Sequence, residues 1–377
     1  MKIIIKIIIF ITAFLFFVFS SGALEDDFGQ SELIDALPDS AREMLEDSDI
    51  TPDNAGALSL TPFSVIKSMW DIFMDELTRP LRMLAALTGV ILLCAVAETL
   101  RDSAGGSVSI AASGGQASDA FGIVGVLAGA GMMIIYISDI VARAAATLNA
   151  GGAFLLTFVP IFAGIMVITG QLTTATVFSM SLIMAGQVFM YITAVFLTPL
   201  TSVILGVSTA GAVSPDLKVD ALSETVKKIV ILTLGLLVTL FTGLLSLQSF
   251  ISSSADTVAM KAARFTVSSS VPFVGGAVGD ALSTVRGSVN LLRNSTGTFG
   301  IIAGIAIIAP TLISVFVHKI ALSIAAAVSS VFGLLRLSAL LKSGESVLSI
   351  IFALLFCFTL VVVISVGLML FIWNGGV

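Results

Sequence analysis

Long apolar stretches, separated by short polar segments, dominate the chain from residue 81 to residue 377. Seven of them are close to the roughly 20 residues that a helix needs to cross a bilayer, and residues 198–213 and 320–341 are candidates for further spans or half-spans. The seven predicted spans are Leu81–Ala97, Phe121–Ile137, Phe154–Thr169, Ala175–Leu197, Ile229–Phe250, Phe299–Val317 and Val347–Trp373. Only 11% of all residues are charged, against about 25% in soluble domains. The sequence predicts an all-α, polytopic membrane protein with about seven spans, within a range of five to nine.

Residues 1–23 have the composition of a secretory signal peptide. Lys2 and Lys6 precede an apolar run from Ile7 to Phe19, and small residues follow up to Ala23. This order matches a charged segment, an apolar segment and a cleavage site, and it predicts cleavage after Ala23. An uncleaved first span is the alternative. In both cases the residues that follow are expected on the exported side of the membrane.

The next segment, residues 24–60, is strongly acidic. Between Leu24 and Pro62 eleven Asp and Glu residues are accompanied by the single base Arg42. Phosphate contacts require basic side chains, so this segment does not have the composition of a nucleic-acid binder. It is predicted to be an acidic exported head that precedes the membrane domain at residues 81–377.

Residues 61–80 follow the pattern of an amphipathic helix. Apolar residues including Trp70, Phe73 and Leu77 recur on one helical face, whereas polar residues line the other. A tryptophan on such a face is typical of a helix in the membrane interface, which makes Trp70 and Phe73 candidate interfacial anchors. A helix packed on the head or on neighbouring spans is the alternative.

Several chemical classes lack their sequence requirements. His318 is the only histidine, so a His-containing metal cluster and a Ser-His-Asp triad are not expected. Cys94 and Cys357 both lie within apolar runs, and no phosphate-binding loop of the G-x-x-x-x-G-K-[ST] type occurs. We therefore expect no enzyme, cofactor or metal centre.

Two segments share an order of residue types. Residues 139–164 and 256–275 each run from an acid through bases and small residues to Val-Pro, Phe and Gly. If the two segments are a true repeat, each copy has an odd number of membrane crossings, so the copies are inverted relative to each other. Inverted repeats with proline- or glycine-broken re-entrant helices are found in many transporters. Chance similarity is the alternative.

Residues 256–296 are expected to form a hinge and an amphipathic or re-entrant helix. Proline removes a backbone donor and glycine weakens a helix, while charges in an apolar setting are functional candidates because their burial is costly. A surface helix lying on the bilayer is the alternative. The candidate gating or pathway residues are Asp256, Lys261, Arg264, Pro272, Gly275, Gly276, Asp280 and Arg286.

Glycine pairs at four-residue spacing predict close helix contacts in the membrane. They occur at Gly125 and Gly129, at Gly275 and Gly279, and at Gly300 and Gly304.

Three segments together carry a family resemblance. They are LIDALPDSAREML at residues 33–45, AVSPDLKVDALSETVKKIVILTLGLLVTLFTGLLSLQS at 212–249, and DTVAMKAARFTVSSSVPFVGGAVGDALSTV at 256–285. Their order resembles that of the stage III sporulation protein AE family of endospore-forming bacteria. Arg264 stands where the family more often has a second lysine, which keeps the charge. The family offers no catalytic residues to carry over.

The resemblance implies a subunit of a channel complex made in the mother cell. Such a protein is expected in the mother-cell membrane that surrounds the engulfed forespore, with its head in the intermembrane space. The implied partners are a forespore-made protein and operon companions, namely ring-forming subunits, an ATPase and small membrane subunits. An export-gate-like or scaffold role in late forespore gene expression is expected, and a homo-oligomer is compatible with it. A stand-alone secondary transporter and a purely structural anchor are the alternatives.

Overall fold

A computed structural model of the chain describes residues 30–47, 50–52, 74, 76–104, 116–213, 219–270 and 275–374. The regular secondary structure of these residues is helical, without a strand. The helices are α1 (Gln30–Asp35), α2 (Asp39–Asp47), α3 (Thr78–Ala104), α4 (Gln116–Ile168), α5 (Leu172–Ile192), α6 (Thr198–Val213), α7 (Val219–Ser270), α8 (Gly275–Val331) and α9 (Leu335–Asn374). A π-helical turn at Thr193–Leu197 joins α5 to α6. The predicted all-α fold is confirmed.

Six helical stretches in this described part of the chain are long and apolar enough to cross a membrane. Their number lies within the predicted range, and the polytopic class is confirmed. They are Thr78–Val96, Ile123–Ile168, Leu172–Gly211, Ser223–Ala263, Gly287–Val331 and Leu335–Leu370.

The helices are much longer than the predicted spans. α4 has 53 residues and α8 has 57, which corresponds to about 80 and 85 Å at 1.5 Å per residue, whereas a bilayer with its headgroups measures about 40–45 Å. In α4 the predicted spans at 121–137 and 154–169 are one helix. The polar residues between them do not end it, because Asp139 and Arg143 pair at a spacing of one helical turn.

The structure differs from the expected break at the first proline of the repeat. Pro160 lies inside α4, and the helix continues from it to Ile168. Pro160 is exposed, so its ring faces the outside of the bundle and the helix accommodates it by local adjustment, as membrane helices do.

Two tight turns reverse the chain, and both depend on a glycine. Gly170, between α4 and α5, and Gly333, between α8 and α9, have φ angles of 84° and 78°. Residues with a Cβ rarely adopt this left-handed conformation. The next amide in each turn donates to a carbonyl five residues earlier, Gln171 to Met166 and Leu334 to Ser329, as in a Schellman motif.

The two hairpins, α4–α5 and α8–α9, pack against each other around an aromatic core. Phe154, Phe158 and Phe162 stack along one face of α4 with ring centroids 5.6 and 5.4 Å apart, and Phe178 of α5 contacts the last of them edge-on. α8 approaches this stack closely, because a Cβ added at Gly300 would collide with the ring of Phe158.

α1 and α2, which lie in the predicted head, pack onto the long helices of the bundle. Leu33 of α1, Leu45 of α2 and Leu37 between them are buried, and the Ser295 hydroxyl of α8 donates to the carbonyl of Pro52. This end of the bundle, with Ser295 and the α4–α5 turn, is called the head end below. The level of Arg143, near the middle of α4, is called the ion-pair end.

Candidate functional site

Asp256 of α7 is buried and bonded to the start of α5. Only 7% of the surface of this residue is exposed. Oδ1 accepts the backbone N–H of Thr173 at 2.9 Å, and Oδ2 accepts the backbone N–H of Thr174 at 2.8 Å. The Thr174 hydroxyl donates to the same Oδ2 at 2.7 Å. Three donors from one helix terminus therefore surround a single carboxylate.

The reason for this contact lies in the first turn of α5. The first N–H groups of a helix have no partner within the helix, and Gln171, at the N-cap of α5, makes no side-chain capping bond. Asp256 supplies the missing acceptor from 82 and 83 residues away in sequence. Its negative charge is also favoured by the positive end of the helix dipole. The carboxylate thus acts as a helix cap delivered by another helix.

The capped terminus ties α7 to the α4–α5 hairpin at the head end. A second polar contact follows the same helix pair, where the Ser181 hydroxyl donates to Gln248 at 3.2 Å. Because helix and carboxylate satisfy each other, Asp256 is held in place and fixes the position of α7 against the start of α5.

The two bases predicted beside Asp256 lie further along α7. Lys261 is exposed on this helix. Arg264 is part of the same helix, and its side chain lies outside the described residues. The structure therefore does not bring Lys261 into the Asp256 contact.

The residues of the predicted hinge lie at or before the start of α8. Pro272 lies outside the described residues, between the end of α7 at Ser270 and the start of α8 at Gly275. Gly276, Asp280 and Arg286 belong to the first turns of α8, with side chains that are not among those described. The anchors proposed in the amphipathic segment, Trp70 and Phe73, also lie outside the described residues.

Sequence reasoning missed a second buried charge at the head end. Arg293 of α8 is 1% exposed, and its guanidinium donates to the backbone carbonyl of Met369 in α9. The sequence did carry a signal for Arg293, because an arginine next to a long apolar run is as unusual as Asp256 in its apolar setting. Thr173 and Thr174 carried no such signal, because threonine is common in membrane helices.

The fold and this site define a class of protein. The described part of the chain is a polytopic helical bundle tied internally by buried charges, and it brings no group of three or more His, Cys, Asp or Glu side chains together to hold a metal ion. The model of the family named stage III sporulation protein AE matches residues 48–372. The chain belongs to this family, which supports a role in sporulation.

One curated relative is the stage III sporulation protein AE of Bacillus subtilis (strain 168). It is 24% identical over 176 residues, which cover 46% of this chain and 44% of the relative. The match thus spans less than half of the length of that relative. No solved structure matches the chain.

Proposed function

We propose that the chain is a membrane subunit of the sporulation channel complex, acting as an export-gate-like or scaffold component that late forespore gene expression requires. The observation that carries this proposal is the family match over residues 48–372, together with a bundle in which buried charges act as ties between helices. The proposed partners are the ring-forming subunits, the ATPase and the small membrane subunits of the same operon, and a forespore-made protein across the intermembrane space.

The proposed location is the mother-cell membrane around the forespore, with the acidic head in the intermembrane space. Polar residues at two levels of α7 support a membrane position between them. Lys228 and Asp256 are 28 residues apart, which corresponds to about 42 Å of helix, close to the full thickness of a bilayer with its headgroups. In this proposal the head end faces the exported side, and the Lys228 end of α7 faces the mother-cell cytoplasm.

Cysteine labelling of α7 tests this orientation. Lys261 and Lys228 are both exposed on the same helix and stand about 50 Å apart along it. In a variant without Cys94 and Cys357, expressed in cells before engulfment, Lys261→Cys is expected to react with a membrane-impermeant maleimide from outside. Lys228→Cys is expected to react only after permeabilisation. The reverse pattern, or equal labelling from outside, would contradict the orientation.

A stand-alone secondary transporter is the second candidate, and the buried charge of Asp256 is the observation that favours it. A transporter works without partners, so the purified chain in vesicles should take up labelled ions, amino acids or sugars. We expect uptake no greater than that of protein-free vesicles, because the three bonds from α5 engage Asp256 as a structural tie. Uptake above that background would favour the transporter.

A further inference from the structure

Polar side chains from three parts of the chain meet at the ion-pair end. α4 contributes Asp139 and Arg143, Glu76 precedes α3, and α8 contributes Ser314 and His318. Arg143 Nη2 lies 2.9 Å from Asp139 Oδ2, and Arg143 Nη1 lies 3.9 Å from Glu76 Oε2. We call these five residues the His318 cluster.

A hydrogen bond next to the cluster fixes how α4 and α8 face each other. The hydroxyls of Thr147 and Thr311 are 2.7 Å apart. The helices are antiparallel, so moving one turn back along α4 leads to Arg143, and moving one to two turns forward along α8 leads to Ser314 and His318. The histidine therefore belongs to the packed interface between the two helices.

His318 is only 1% exposed, and its Nδ1 lies 2.7 Å from the carbonyl oxygen of Ser314. With the hydrogen on Nδ1 donated to that carbonyl, Nε2 is the nitrogen that can accept a proton. Burial of the ring disfavours its protonation; of the charged groups that act on it, Arg143 also disfavours protonation, whereas Glu76 and Asp139 favour it. Two acids and one base give these groups a net charge of −1 when His318 is neutral.

Three buried polar atoms of the cluster make no hydrogen bond, namely Glu76 Oε2, Ser314 Oγ and the donor Arg143 Nε. Buried polar atoms in this state are costly. A single added positive charge would neutralise the cluster, and protonation of the imidazole supplies it with no change in packing volume.

The rim of the cluster lies at the surface of the bundle, although the histidine is buried. The side chain of Asp139 is 62% exposed, while those of Arg143 and Glu76 are 28% and 25% exposed. A proton that reaches this surface therefore has a polar route to the buried ring.

We propose that the His318 cluster is a proton-binding site. A proton from water at the ion-pair end forms a bond to Nε2 and converts the imidazole into an imidazolium ion, and Glu76 and Asp139 balance the new charge beside Arg143. Proton binding places a positive charge in the α4–α8 interface, so the packing of these helices responds to the proton concentration on that side of the membrane. The inference is independent of the proposed channel role.

The single histidine makes this site directly observable. The full chain, without an affinity tag and with isotope-labelled histidine, is reconstituted in lipid nanodiscs, and the imidazole resonances are followed by NMR from about pH 4 to pH 9. We expect one protonation transition in this range. In Glu76→Gln the transition should move to lower pH by about one pH unit, because a nearby negative charge that stabilises the imidazolium is lost.

A matched control separates a local effect from a change in total charge. Glu224→Gln removes the same charge from α7, where Glu224 pairs with Lys228 at the surface, and it should leave the transition in place because distant surface charges are screened. Asp139→Asn provides a second local variant if Glu76→Gln does not yield a folded chain. A resonance that does not change over the whole range would overturn the proposal. Equal displacement by the local and the control variants would overturn it too.

Discussion

Replacing Asp256 tests the structural tie at the head end. Asp256→Ala removes the acceptor of two backbone N–H groups and one hydroxyl at the start of α5. Loss of a helix cap costs about 0.5–2 kcal/mol, and hydrogen bonds to a charged group are worth about 1.5–3 kcal/mol each without being additive. The free energy of unfolding should therefore fall by about 2–4 kcal/mol.

Two further variants divide this loss among the three bonds. Asp256→Asn keeps one acceptor oxygen and should lose about half as much stability. Thr174→Val removes only the hydroxyl donor, which corresponds to about 1 kcal/mol. When Thr174→Val is combined with Asp256→Ala, the loss should be smaller than the sum of the two, because both changes remove the same bond.

The assay is unfolding of the purified chain in mixed micelles by increasing SDS, followed by circular dichroism and by the reactivity of buried Cys357. Glu224→Gln is the control, because it neutralises an exposed acid on the same helix and should leave the unfolding midpoint unchanged. If Asp256→Ala is no less stable than Glu224→Gln, Asp256 does not cap α5 and the account of the site is wrong.

Two more variants test the packing of α8 and the hinge before it. Gly300→Ala should destabilise the chain by about 1–3 kcal/mol, because its methyl group collides with the Phe158 ring. Gly287→Ala is the control: its methyl group has open space, so the variant should be neutral or stabilising in the same SDS assay. Equal effects of the two variants would contradict the close contact between α8 and Phe158. The triple variant Pro272→Ala, Gly275→Leu, Gly276→Leu should favour continuous helix by about 0.8–1 kcal/mol per glycine. We expect normal abundance by immunoblot with failed spore formation, and normal sporulation at normal abundance would contradict a functional role of the predicted hinge.

The fold class was predictable because the bilayer imposes it. A chain with so few charges buries its backbone polar groups in lipid only as helices, and apolar runs near 20 residues mark where helices lie. Helix ends were not predictable from the same signal. Asp139 and Arg143 were expected to separate two spans, yet they satisfy each other within α4, so a polar segment does not need to be a loop.

Two of the three predicted glycine pairs lie at close helix contacts, and the surroundings of the third, Gly275 and Gly279, lie outside the described residues. A Cβ at Gly125 or Gly129 would meet Cys94 or Leu337, and one at Gly304 would meet Val362. Such contacts follow from a local property, namely the absence of a side chain on one helix face.

The partner of Asp256 could not be predicted. An aspartate is rare in an apolar setting, which marked Asp256 as important. The role of Asp256, however, depends on the α5 terminus more than 80 residues away. A single sequence does not report which helix ends meet. Arg293 carried the same signal and was missed, because it lies within residues 256–296, where an amphipathic helix was expected and an arginine on the polar face of such a helix is ordinary.

The most direct test of the proposed function restricts the chain to one compartment. In an endospore-forming host whose own copy is deleted, the chain is expressed from a mother-cell-specific or a forespore-specific promoter, and a late forespore-specific transcriptional reporter is measured after engulfment. The account predicts that the deletion lowers the reporter and that only mother-cell expression restores it. Full reporter activity without the chain, or rescue by forespore expression alone, would contradict the proposed function.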